Sequence, residues 1–214
     1  MKNKIKKVVD IVFKPFCFLF SFFVSIKISN FFKRQKYQIF SYHVKRKFSG
    51  CGKNFSLKTP FEIFGFKFIH CGNNVSLPTY TRIHVFDHFH EQNFNPKLDI
   101  GDNVIFNNNI HIACINKISI GDGTLVGSNV LITDHSHGDS SVDSLGLMPK
   151  DRLLESKGEI NIGKNCWIGD NCVILSGVHL GENCIVGANS VVNKSFPANS
   201  LIVGSPAKMI KNIN

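Results

Sequence analysis

The sequence predicts a parallel β-helix, a prism of short strands wound into stacked coils, and two observations predict it. A six-residue unit recurs in phase along the second half of the chain, with an aliphatic first position and glycine or asparagine near its corner. A chain of 214 residues with 43% hydrophobic content suits one good-sized domain, and is neither a disordered chain nor a multi-span membrane protein.

Charge sets the N-terminus apart. Residues 1–47 hold 12 of the 25 Lys and Arg and one acid, Asp10, for a net of +11; the remainder holds 13 bases and 14 acids, for a net of −1. Nucleic acid, which wants a basic face on the folded domain, is therefore not an expected partner. Phe13, Phe16, Phe20 and Phe23 recur at helical spacing with lysines on both flanks. That suits a helix lying in a headgroup region, phenylalanines in the acyl boundary and lysines against anionic lipid. Packing of the same aromatic face on protein is the other reading. The uncharged run 16–26 spans 11 residues, short of the roughly 20 a spanning helix needs. No small-x-small cleavage site follows it. Seven cysteines, an odd number without a Cys-x-x-Cys pair, fit a reduced protein. The expected location is cytoplasmic, peripheral at an inner membrane face if residues 1–47 touch lipid.

The body is a repeat. Ile100-Gly101-Asp102-Asn103-Val104-Ile105 opens the series, after a degenerate copy at Cys71-Gly72-Asn73-Asn74-Val75. Ile120-Gly121-Asp122-Gly123-Thr124-Leu125 runs into Val126-Gly127-Ser128-Asn129-Val130-Leu131. Ile162-Gly163-Lys164-Asn165-Cys166-Trp167 and Ile168-Gly169-Asp170-Asn171-Cys172-Val173 follow an interruption. Leu180-Gly181-Glu182-Asn183-Cys184-Ile185 and Val186-Gly187-Ala188-Asn189-Ser190-Val191 complete it. Each hexad is one short strand plus a corner: the aliphatic position enters a narrow core, and Gly or Asn accepts the positive φ of the turn. Three hexads, about 18 residues, close one coil, and coils stack at about 4.8 Å. Cys166 and Cys184 should therefore sit one above the other as small core residues, in ladder register and without a disulfide.

Between Thr133 and Glu159 the pattern stops. A loop of that length inside a compact domain is usually functional, and Asp134 and His135 stand at its mouth. The domain reading is a basic aromatic helical segment at 1–47, a β-helix at 48–205 with an active-site loop at 134–159, and a tail at 206–214.

These motifs resemble the left-handed β-helix (hexapeptide-repeat) acyltransferases, and within them the sugar O-acetyltransferases of galactoside, maltose, lipopolysaccharide and capsule type. The residues that carry the likeness are Val130 through Gly138, Ser156-Lys157-Gly158 and Trp167-Ile168-Gly169. Gly187 through Lys194 with Pro197, and Gly204-Ser205-Pro206-Ala207-Lys208, extend it. It covers about residues 69–211. The resemblance implies an all-β, left-handed parallel β-helix, a homotrimer, and acetyl-CoA meeting a sugar or lipid-linked glycan acceptor in clefts between prisms, with no metal. It implies His135 as the catalytic base and Asn107 as an acceptor-binding residue, with Trp167 walling the site. Asp170, Ala188, Asn193 and Lys194 match positions along the coenzyme A arm, and Lys208 and Lys211 match basic residues near its phosphates. One departure stands out: Ile115 occupies the place of an acceptor-binding aspartate.

Acetyl transfer from a thioester to a hydroxyl needs a proton acceptor, an oxyanion donor and a good leaving group. Histidine suits the first; a corner amide or the Trp167 indole suits the second. His135 and His137 share a face if extended, so the residues alone leave the base open between them; the resemblance favours His135, with His137 supporting. Asp134 could orient an imidazole, but as the adjacent residue it would face away from His135 in an extended chain. His111 either lines the acceptor side beside Asn107 or decorates a coil. His84, His88 and His90 could share a face as a metal site, but a hydrogen-bonded edge is the commoner outcome. The expected activity is an acetyl-CoA-dependent O-acetyltransferase of surface polysaccharide. N-transfer to an amino-sugar and a non-catalytic glycan-binding scaffold are the alternatives. A zinc hydratase would need three converging histidines, which His111, His135 and His137 do not supply by spacing.

Overall fold

The computed structural model of the chain describes residues 2–22, 25–138 and 145–213. By internal contacts the chain divides between Ile39 and Phe40. The first unit is helical: α1 spans Lys2–Ser21 and α2 begins at Ile26 and runs to Lys45. On α1, Phe16 stacks on Phe20 at 5.7 Å, and both are exposed; Phe23 lies outside the described residues. Among the described residues no single helix is long and apolar enough to cross a membrane.

The second unit is a three-faced prism of parallel strands. The first face runs from Gly50–Cys51 through Ile69–Cys71, Lys97–Ile100, Lys117–Ile120 and Ile160–Ile162 to His179–Leu180. The second runs from Ser56–Leu57 to Ser200–Gly204 and includes Ile105–Phe106, Leu125–Val126, Trp167–Ile168 and Ile185–Val186. The third comprises Phe61–Phe64, Thr81–Val85, His111–Cys114, Leu131–Thr133, Val173–Ile174 and Val191–Val192. This is the expected left-handed parallel β-helix.

Register explains the core. Leu77, Phe106, Val126, Ile168, Val186 and Ile202 stack in one column, and Ile63, Ile83, Ile112, Ile132, Ile174 and Val192 in another, all buried. Each such side chain contributes about 1.5–3 kcal/mol by leaving water. Cys166 lies beneath Cys184 as expected: Trp167 pairs with Ile185, and its amide donates to the Cys184 carbonyl at 2.8 Å. Burial pushes the Cys166 thiol up to about 12, so it stays protonated, donating to the Gly181 carbonyl at 3.2 Å.

The coil length is less uniform than about 18 residues. Partners in successive coils are 20 apart at Lys53 and Asn73, 29 at Asn73 and Asp102, 20 at Asp102 and Asp122, and 42 at Ser128 and Asp170. Only the upper coils approach the hexad ideal, Ile162 pairing with Leu180. The surplus falls at one corner, where the third face returns to the first. One insertion is a hairpin, His88–Phe89 paired antiparallel with Gln92–Asn93; the other is the loop after Thr133.

Two sequence boundaries shift. The last turns of α2 belong with the prism: Ser41 and Val44 are buried, and the Leu57 amide donates to Ser41 Oγ at 2.8 Å. With Phe48 packed edge-on against Phe55 and Phe66, they close the open end of the core, which a coil stack requires. Residues 206–214, expected as a tail, instead contain the strand Ala207–Asn212, which turns back antiparallel on Ser200–Gly204.

Among the described residues ten asparagines hold φ between 54° and 61°, and they mark the corners. Their amides form ladders, as where Asn109 Nδ2 donates to Asn129 Oδ1 at 2.8 Å and Asn129 Nδ2 to Asn171 Oδ1 at 3.0 Å. Beneath Asn109 the same corner holds Tyr80 at φ 62°. A side chain without the short amide that tolerates this region costs about 1–3 kcal/mol there.

Candidate active site

The strand Leu131–Thr133 ends on the third face, and a bend at Asp134 turns the chain out of the prism. That bend decides the geometry. Asp134 is fully buried, and its carboxylate accepts from the Ile115 amide (Oδ1) and the Asn116 amide (Oδ2), each at 2.9 Å. Those amides form the short corner of the coil below. Asp134 Oδ1 also lies 3.0 Å from His135 Nδ1. A carboxylate only accepts here, so Nδ1 is the donor, and in the neutral imidazole the lone pair lies on Nε2. Expectation from an extended backbone put Asp134 facing away; the bend brings the two side chains together instead. The His135 side chain is only 9% exposed, so its ring is held in a nearly dry setting.

His137 is exposed. It pairs with Leu154 in a short antiparallel ladder, Ser136–His137 against Leu154–Glu155, that closes the root of the loop. Residues 139–144, within the loop, lie outside the described residues. The hairpin reaches across the Ile115–Asn116 corner to this root. Gln92 Nε2 donates to the Leu154 carbonyl at 3.0 Å, and Gln92 Oε1 accepts from the Leu154 amide at 2.7 Å. His90 Nε2 meets the Lys150 carbonyl at 3.1 Å, and the Phe89 ring packs edge-on to His137 at 5.5 Å. Sequence reading passed over Gln92 and the hairpin. The available signal was nine surplus residues, 29 against 20, between successive coils.

His111 lies on the outer side of the third face beside Arg82, whose Nη2 is 3.2 Å from His111 Nδ1. Burial, then the Arg82 and His84 charges, hold the His111 pKa down to about 4. The ring is therefore neutral in the fold and protonated in the unfolded chain between pH 4 and about 6.5. Unfolding takes up a proton across that window, so stability falls as pH drops through it. With the ring half-exposed, solvent screening leaves about 1 kcal/mol. His111→Gln should flatten the acid side of a urea-denaturation series by that amount between pH 6.5 and 4; an unchanged slope would refute the assignment.

His84, His88 and His90 do not converge. His84 Nε2 is 2.8 Å from Glu62 Oε1 and His88 Nδ1 is 3.0 Å from Asp87, while His90 meets the loop. Among the described residues no group of three or more His, Cys, Asp or Glu is placed to hold a metal ion.

The remaining sequence candidates spread around the prism. Asn107 is exposed at the corner after Ile105–Phe106. Trp167, 53% exposed, stands on the second face, opposite the corner that bears His135. Lys208 and Lys211 are exposed on the antiparallel strand of that second face. Asp170 lies below Ala188 at the next corner, the Asn189 amide donating to the Asp170 carbonyl at 2.9 Å. Asn193 and Lys194 follow the strand Val191–Val192, on the His135 corner two coils above, with Lys194 Nζ 5.7 Å over the Phe196 ring. A single prism thus brings together Asp134, His135, His137 and the hairpin, and keeps Trp167, Lys208 and Lys211 on the opposite side.

Comparison with known proteins bears out the repeat resemblance. Residues 159–194 match the bacterial transferase hexapeptide (six repeats) model. The chain is 44% identical over 117 residues to the putative lipopolysaccharide biosynthesis O-acetyl transferase WbbJ of Escherichia coli K12, covering 53% of this chain and 59% of that protein. It is 33% identical over 126 residues to the galactoside O-acetyltransferase of the same organism, covering 56% and 57% respectively. The chain thus spans about three-fifths of the length of these relatives. A galactoside acetyltransferase solved in complex with coenzyme A superposes with TM-score 0.53 at 26% identity, over 80% of this chain and 68% of that one.

Proposed function

We propose that the protein is an acetyl-CoA-dependent O-acetyltransferase of a sugar hydroxyl in surface polysaccharide synthesis, with His135 as general base. The observation that carries this is the Asp134–His135 pair, because a bent, amide-pinned carboxylate engages Nδ1 and leaves Nε2 as the imidazole nitrogen for an acceptor at the mouth of a long loop. The O-acetyl and galactoside transferases similar to this chain support the choice of chemistry.

Acetyl-CoA, the co-substrate, supplies an activated thioester. His135 Nε2 takes the proton from the sugar hydroxyl as that oxygen bonds to the acetyl carbonyl carbon. Asp134 holds the Nδ1 proton and balances the imidazolium that forms. As the carbon–sulfur bond breaks, His135 returns the proton to the departing sulfur, so the base is regenerated. No protein nucleophile takes part. Lys208 and Lys211 are exposed cations on one strand and suit the phosphates of the coenzyme A arm. Because His135 and Trp167 lie on opposite sides of one prism, the reading places the complete site between copies in a homotrimer. There the second face of one copy meets the His135 corner of the next. Transfer of labelled acetyl from acetyl-CoA to a saccharide, as an alkali-labile ester, tests the reading; an alkali-stable amide product would replace it with N-transfer.

The N-terminal unit fits the inner face of a membrane, where lipid-linked glycan acceptors are built. Phe16, Phe18, Phe20, Phe31 and Phe32 are exposed, and residues 1–47 carry the chain's net charge. A chain beginning at Phe40 keeps Ser41 and Val44 in the prism core. Removing residues 1–39 should abolish co-sedimentation with anionic vesicles while leaving acetyl transfer to a soluble sugar within about twofold. Undiminished sedimentation would exclude these helices as the membrane contact.

A further inference from the structure

A cavity of about 360 Å³ opens on the outer side of the third face, away from the loop, lined by Glu62, Tyr80, Arg82 and Asn109 among others. That volume is within the range of small-ligand sites. Its floor is unusual for this fold. At the corners an asparagine normally donates its Nδ2 to the Oδ1 of the asparagine one coil above, as Asn74 does to Asn103 at 2.8 Å. Under Asn109, itself a lining residue, that donor is replaced by Tyr80, so the ladder has no amide to offer Asn109 Oδ1 from below. The tyrosine occupies the left-handed conformation that the other coils give to asparagine, and its ring is 61% exposed. A strained aromatic side chain held out toward solvent does not improve the core; strain of this kind belongs to sites.

We propose that this cavity is a subsite for a neutral sugar residue of a longer glycan, stacked on Tyr80 and hydrogen-bonded by Glu62, Arg82 and Asn109. The apolar face of a pyranose matches an aromatic ring, and its hydroxyls match a carboxylate, a guanidinium and an amide oxygen. One acid and one base line the cavity, so it has no surplus positive charge for a phosphate or a sugar acid. Arg82 also contacts His111 on the same outer face, which links the subsite to the acceptor side of the proposed enzyme. Its role in transfer rests on the sugar-acetylation reading; its binding chemistry does not.

The chain has three tyrosines, Tyr37, Tyr42 and Tyr80, so ring-labelled tyrosine gives a simple NMR spectrum in which Tyr80→Asn identifies the third. The full chain is titrated with galactose, lactose, maltose and maltotetraose, and acetyl transfer is assayed on the same samples. The Tyr80 ring signals should shift and saturate, with at least one oligosaccharide binding about tenfold tighter than galactose. Arg82→Leu should weaken that binding. Tyr80→Asn restores the ladder, so it should raise Tm by about 2–4 °C while losing the preference for longer sugars. A silent Tyr80 with all four sugars overturns the subsite, even where acetyl transfer proceeds. A fall in Tm for Tyr80→Asn, or dissociation of an oligomer, also overturns it by showing that the tyrosine serves the fold or a subunit contact. A responding Tyr80 without acetyl transfer leaves the subsite standing and refutes the enzymatic reading.

Discussion

His135→Gln should lower the turnover of acetyl transfer about 10³-fold while leaving acetyl-CoA affinity within about twofold. The magnitude is that of a removed general base. Glutamine is close in size and can still donate an N–H toward Asp134, but it offers no basic nitrogen to the acceptor hydroxyl. Three of the surrounding constraints survive the change: the two backbone amides on Asp134 and the ladder between Ser136–His137 and Leu154–Glu155. The variant should therefore fold with an unchanged Tm, and the loss should be in kcat. A variant that loses affinity for acetyl-CoA and keeps kcat would place His135 in binding. If His135→Gln is fully active and His137→Gln is not, the base is the second histidine.

Asp134→Asn should act on both stability and turnover. The native carboxylate accepts three hydrogen bonds in a fully buried position. An amide presents one oxygen and one NH₂, so at least one buried N–H, from Ile115 or Asn116, meets a donor instead of an acceptor. Leaving a buried donor unsatisfied costs about 1–3 kcal/mol, which for a domain of this size lowers Tm by roughly 2–10 °C. The His135 ring also loses the partner that fixes its tautomer, and turnover should fall about 10²-fold beyond any loss of folded protein. Urea denaturation and single-turnover transfer, measured on the same preparation, separate the two effects. A stable Asp134→Asn with wild-type turnover would show that the carboxylate neither pins the corner nor orients the ring.

The prism was legible because its physics is periodic. An aliphatic residue every six positions and asparagine at most corners leave few ways to bury the side chains, and the columns from Leu77 to Ile202 and from Ile63 to Val192 continue the repeat. Less regular parts were harder to read. The lower coils keep Leu57 and Ile63 in the core but pack phenylalanines such as Phe48, Phe55 and Phe66 around them instead of repeating the Ile-Gly hexad. The closing turns of α2 carry no repeat at all, so the boundary near residue 47 missed Ser41 and Val44. The strand Ala207–Asn212 pairs antiparallel, which a parallel-coil pattern does not announce.

At the site, His135 was visible and its partner was misjudged. Sequence spacing gives the direction of Asp134 only if the backbone is extended, and a bend at that residue reverses the answer. Gln92 was invisible for another reason. It is an ordinary polar residue in a hairpin, and its meaning comes from Leu154, 62 residues later in the chain. Tyr80 lay in plain view, yet only the column of asparagines above it makes a tyrosine at that corner unusual.

Binding of acetyl-CoA by this β-helix, and the use of His135 on the acetyl group's acceptor, are both reached by one experiment. Thermal unfolding is followed with and without acetyl-CoA, for the wild-type chain and for His135→Ala. At 100 times its dissociation constant a ligand adds about 2.7 kcal/mol, several degrees for a chain this size. Both proteins should shift by the same amount, and only the wild type should then acetylate a sugar. If neither protein shifts, the coenzyme A reading is contradicted at its first step; if His135→Ala still transfers acetyl at the wild-type rate, the base is elsewhere.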